Sequence, residues 1–201
     1  AIRDCPQLAA FAFSQELSTV GGLYLEGPTA YTSLEAFSTI EAITGKLEIS
    51  QTNLEGLDGL EALTAIGGEV LVNDNDALTN TSGLSNVTSV GGSLSLWGND
   101  AIEDLDGLSA LETVGGELMI RENAQLNSLV GLSNLESVAA SFLLWSNPAL
   151  TDLEGLESME EIGEDLTIKH NPGLPTQLAE DFAYGPDLTV GGDIVIQNNA
   201  P

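Results

Sequence analysis

The chain has 201 residues, 31 of them acidic and 4 basic, for a formal net charge of −27. That field repels nucleic acid and anionic membrane surfaces and so argues against both as partners. It suits high salt, calcium-rich surroundings or a cationic partner, or simply a solvated acidic shell around a β-rich chain. With 42% hydrophobic residues the chain still holds enough apolar side chains for a sizeable core. One cysteine, Cys5, leaves no internal disulfide framework, and no run is apolar enough to span a membrane as a helix. The chain opens on Ala-Ile-Arg-Asp. An exported protein is therefore expected to have its targeting segment removed or outside this sequence.

Short apolar–x–apolar segments recur along the whole chain. Their second apolar residues are Ile2, Leu25, Ile49, Val72, Leu96, Ile120, Leu144, Ile168 and Ile196. Successive spacings are 23, 24, 23, 24, 24, 24, 24 and 28 residues. A fixed period of this length predicts a solenoid, in which each coil buries its apolar residues by stacking on its neighbours. Alternation marks a half-buried strand at each row. Apolar residues then fall every third position, as at Ile102, Leu105, Leu108 and Leu111. That spacing fits a coil whose short sides each send one side chain inward. Nine rows enclosing eight coils of mostly 23–24 residues define an all-β parallel solenoid. It is read as one domain over 1–201, excised from or stacked within a longer array.

Three residues past the second inward position stand Asn75, Asn99, Asn123, Asn147, Asn171 and Asn199. Stacked coil on coil, a buried Asn column can satisfy turn backbone groups, which is a structural role. Cys5, Pro28 and Thr52 replace it in the first three rows. Glycine pairs such as Gly91-Gly92 and Gly115-Gly116 mark the corner before each strand, where positive φ or close backbone approach is expected. The wider last spacing reflects four inserted residues, and a short helix is expected near 176–183, with Leu178 and Phe182 on one face.

The repeat L-x-I-x-x-N-x-x-L-x-x-L-x-G-L-x-x-L-x-x-I-G-G is clearest over Leu94–Val114, Leu118–Val138 and Phe142–Ile162. It resembles the receptor L-domain, a leucine-rich-repeat relative. The resemblance implies a right-handed β-solenoid, an extracellular or cell-surface setting and binding rather than catalysis. Even, cysteine-poor, acidic coils look like the microbial surface type.

Candidate functional residues lie on the outer face of the main strand. Between the inward residues stand Tyr24, Leu71, Met119 and Leu143, and just after them stand Trp97, Arg121, Trp145 and Lys169. Both tryptophans and three of the four cations (Arg3, Arg121, Lys169) occupy the second column, and Lys46 lies just before Leu47. With coils about 4.8 Å apart, Trp97, Arg121, Trp145 and Lys169 can stack as an alternating cation–π ladder. Alternatively they form an interaction face, since aromatic, Arg and Met side chains are what interface hot spots favour. The ladder can serve both ends.

Catalysis finds little to stand on. His170 is the one histidine and sits in a turn beside Asn171, and no nucleophile elbow, phosphate loop or paired-cysteine motif occurs. Asn73-Asp74-Asn75-Asp76 offers at most weak surface calcium binding, lacking the glycine and terminal glutamate of a dedicated loop. No cofactor is expected. The expected function is a non-enzymatic recognition or adhesion module binding protein or carbohydrate at a cell surface, without membrane insertion. The alternative is a structural subunit that stacks end to end through Ile2, Arg3, Cys5, Ile194, Ile196 and Asn199 into a filament or surface layer.

Overall fold

The computed structural model describes residues 17–27 and 33–201 in full and residues 2–3 by their main chain. Four-residue segments with alternating inward residues form the strands of one parallel sheet, among them Leu94–Trp97, Leu118–Arg121 and Phe142–Trp145. This sheet has nine strands in chain order, from Ile2–Arg3 to Ile194–Gln197. A second parallel sheet of eight two-residue strands runs from Thr19–Val20 to Thr189–Val190. The register repeats the sequence period: Leu118 pairs with Leu94 on one side and Phe142 on the other. The fold is therefore the mostly β, coil-on-coil architecture that the spacings predict.

The every-third-residue rhythm is explained by what happens between the two sheets. Ile102, Leu105, Leu108, Leu111 and Val114 are all buried, one from each short side of the coil. Three-residue 3₁₀ turns such as Asp106–Leu108 carry the chain round one of these corners. The glycine in that turn is demanded by close approach, because a Cβ on Gly107 would run into the Thr81 carbonyl of the preceding coil. The glycine pairs act the same way. Gly67 and Gly91 have ordinary negative φ, and added Cβ atoms would meet the carbonyls of Thr44 and Gly67. Close approach, not positive φ, is what these corners require.

Positive φ occurs elsewhere, immediately after the main strand. Gly27, Gln51, Asp74, Gly98, Glu122, Ser146, His170 and Asn198 form a column of left-handed residues, with φ between 54° and 89°. This turn delivers the next residue inward, and that residue is the asparagine. Asn75, Asn99, Asn123, Asn147 and Asn171 are almost wholly buried. Each Oδ1 accepts the backbone N–H of its counterpart one coil earlier, as in Asn99 N to Asn123 Oδ1 at 3.1 Å. Each Nδ2 donates to a main-strand carbonyl of the preceding coil, as Asn123 does to Leu96 O at 3.1 Å. The expected asparagine ladder is present, and Thr52 extends it with both its N–H and hydroxyl on Asn75 Oδ1.

Cys5 and Pro28 lie outside the described residues. The helix Thr176–Ala183 fills the long last coil. Its packing differs from expectation: Leu178 is 40% exposed, and Ala179 and Ala183 are buried with Phe182 packed against the core. Small side chains fill the fully buried positions of the helix, with the half-buried Phe182 packed beside them.

Candidate functional site

The outer face of the main sheet gathers the expected residues. Strand register sets Arg121 directly between Trp97 and Trp145, and Lys169 beside Trp145. The Arg121 guanidinium carbon lies 4.9 Å from the Trp97 ring centroid and 5.4 Å from that of Trp145. Lys169 Nζ lies 4.1 Å from the Trp145 centroid. The cation–π ladder is therefore built as the spacing requires, at about 0.5–1 kcal/mol per exposed pair. Arg121 and Lys169 come from neighbouring strands on opposite sides of Trp145, so both faces of that indole are covered.

In the adjoining column Tyr24, Leu71, Met119 and Leu143 are half-buried. Ser95 is buried between Leu71 and Met119, its hydroxyl donating to Asn73 Oδ1 at 3.2 Å.

The cations differ in how far they are neutralised. Lys46 Nζ is 3.1 Å from Glu48 and 3.8 Å from Glu69. Within 4.0 Å Arg121 has only Glu122, at 3.8 Å from Nη1, and its Nε is buried without an acceptor. No carboxylate of the described residues lies within 4.0 Å of Lys169. Arg3 belongs to the first strand of the same sheet, and its side chain lies outside the described residues.

The left-handed column borders this face. Gly98 stands there with φ +66°, and a Cβ would press on the Asp74 carboxylate, a flexible side chain, in a column where six other positions carry side chains. Burial raises the Asp74 carboxyl above its ordinary value of 3.8. Asp76 and Glu122 push it the same way, while a Gln51 hydrogen bond and Arg121 oppose them. No sequence signal distinguishes this column, whose residue types vary from row to row.

Other expected residues fall into structural roles. Asn73 and Asn75 spend their side-chain oxygens on Ser95 and Thr52, so the 73–76 segment offers a cation only Asp74 and Asp76. Among the described residues no group of three or more His, Cys, Asp or Glu is placed to hold a metal. His170 is an exposed left-handed turn residue. Ile194 and Ile196 are half-buried on the last strand, and Asn199 is the last rung of the ladder, accepting from Asn171 N at 3.1 Å.

A further surface feature escaped the sequence. An open groove of about 710 Å³ runs beside the second sheet and is lined by Glu136, Glu157, Glu160, Glu161 and Asp187. It opens where the long last coil passes the one before it, and its only sequence signal is the spacing of 28.

These features define a stacked-coil β-solenoid with an aromatic–cationic strand face. The family model described as Receptor L domain matches residues 17–83, and the later coils continue the same register. That match covers a third of the chain and supports the resemblance there; Receptor L domains are a non-catalytic, ligand-binding family. No curated protein and no solved structure matches the chain. Among the described residues no helix is long and apolar enough to cross a membrane.

Proposed function

We propose that this chain is an extracellular recognition module that binds a protein partner through the outer face of its main sheet. The observation that carries this is the Trp97–Arg121–Trp145–Lys169 ladder with Leu71, Met119 and Leu143 alongside. Rigid aromatic and arginine side chains on a preformed sheet lose little freedom on binding and suit interface anchors. A sugar stacking on Trp145 is disfavoured, because Arg121 and Lys169 already cover that indole on both faces. The rims of the rings remain for a partner's apolar side chains. The whole of 1–201 is taken as one L-domain-like solenoid, supported by a core that runs without a break from Leu23 to Ala183.

The test is selection of binders from a random peptide display library on the immobilised protein. Peptides selected on the natural chain should lose binding to the Trp97→Ala/Trp145→Ala double variant while its circular dichroism stays β-rich. Peptides indifferent to both substitutions would refute the proposal. End-to-end assembly is the second reading, favoured by the half-buried Ile194 and Ile196 on the last strand. Sedimentation velocity at rising concentration separates the two.

A further inference from the structure

We infer that the partner presents a carboxylate flanked by apolar side chains, and that Arg121 is the group that reads it. This rests on the strand-face proposal and adds the chemistry of what docks there. Three observations converge on Arg121. Its guanidinium is held between two indoles at 4.9 and 5.4 Å, which restrains the fork, while about a quarter of the side chain (27%) stays exposed. None of its side-chain nitrogens makes a hydrogen bond within the described residues, and with Nε buried the four N–H groups of Nη1 and Nη2 are left for a partner. The nearest carboxylate, Glu122, stands at 3.8 Å, outside hydrogen-bond distance, with half of its side chain exposed.

A guanidinium so placed is weakly hydrated on both faces and matches the two oxygens of a carboxylate. Lys169, beyond Trp145, adds a second positive charge with no ion-pair partner among the described residues. The half-buried Leu71, Met119 and Leu143 take the apolar flanks. The carboxylates facing Arg121 from its own and neighbouring coils are Glu122 and Asp74. An incoming carboxylate competes with Glu122 for the same fork. The chain's charge of −27 slows the approach of such a partner, and the contact forms only where the two cations outweigh that field locally.

The peptide selection also decides this. Enriched peptides should carry Asp or Glu between apolar residues. Replacing that residue by Asn or Gln in a synthetic peptide should weaken binding at least tenfold. Arg121→Lys, which keeps the charge between the indoles but loses the fork, should weaken it to a similar extent with unchanged circular dichroism. Glu122→Gln should bind the same peptide at least as tightly as the natural chain. Enriched peptides without an acidic residue, or indifferent to Arg121→Lys, would overturn the inference while leaving the strand face intact as a site. Peptides indifferent to the two tryptophans, or no enrichment at all, would overturn both.

Discussion

Replacing Asn123 by alanine should destabilise the fold far more than the same change at Asn199. The Asn123 side chain donates to Leu96 O at 3.1 Å and to Asn147 Oδ1 at 3.3 Å, and it accepts from Asn99 N at 3.1 Å. It is 1% exposed, so water cannot replace it. Truncation deletes three hydrogen bonds and leaves the Asn99 N–H without an acceptor in the interior. At about 0.5–1.5 kcal/mol for each of the two donated bonds, with about 1–3 kcal/mol for the stranded Asn99 N–H, the loss is about 2–6 kcal/mol. Asn199 makes equivalent bonds to Asn171 and Ile168, but on a half-buried last coil where water reaches the freed groups. There the loss should be about 1 kcal/mol or less. Urea unfolding followed by circular dichroism and by indole fluorescence measures both, with the midpoint falling and the slope unchanged. Equal losses at the two positions, or a loss below about 1 kcal/mol at Asn123, would show that the ladder is not what holds the coils in register.

Two further outcomes are expected. Asp74→Asn should stabilise the protein at neutral pH. Its raised carboxyl pKa means that the folded state pays for ionisation above that pKa, and the penalty is relieved as pH falls towards 3.8. Thermal melts at neutral and acid pH should show the gain shrinking in acid, and a gain that grows in acid would contradict the assignment. At Ser146, whose φ is +57°, substitution by valine should cost about 1–2 kcal/mol, whereas glycine should be tolerated or slightly stabilising. Equal stability of the two variants by thermal melting would remove the strain argument.

The stacked fold was legible because its physical cause repeats. Leu94, Leu118, Phe142 and Leu166 must superpose to bury one another, so the period in the sequence is the period in space. The asparagine column and the ladder of Trp97, Arg121, Trp145 and Lys169 follow from that register alone. The left-handed column did not show, because Gln51, Asp74, Glu122, Ser146 and His170 share no side-chain property. What they share is a backbone corner before a buried residue, which is asparagine in each case except Thr52 after Gln51. The Leu178–Phe182 pair was half informative, since Phe182 packs against the core while Leu178 is exposed and the fully buried positions fall to Ala179 and Ala183. The acidic groove was invisible because its carboxylates come from three successive coils and converge only where the last coil departs from the common length.

Magnitudes bear on why the ladder exists. Its two contacts on Arg121 contribute about 0.5–1 kcal/mol each. Against them stands the buried Nε with no acceptor, which costs about 1–3 kcal/mol. The two sides nearly cancel, so the ladder around Arg121 adds little net stability. A serine or threonine column, as at Ser50 and Thr167 on the same face, would serve the sheet as well without desolvating a charge. What the ladder does supply is a cation restrained before any partner arrives. In a chain with 31 acidic and 4 basic residues, holding one of the few positive charges between both tryptophans is explained by recognition more readily than by folding.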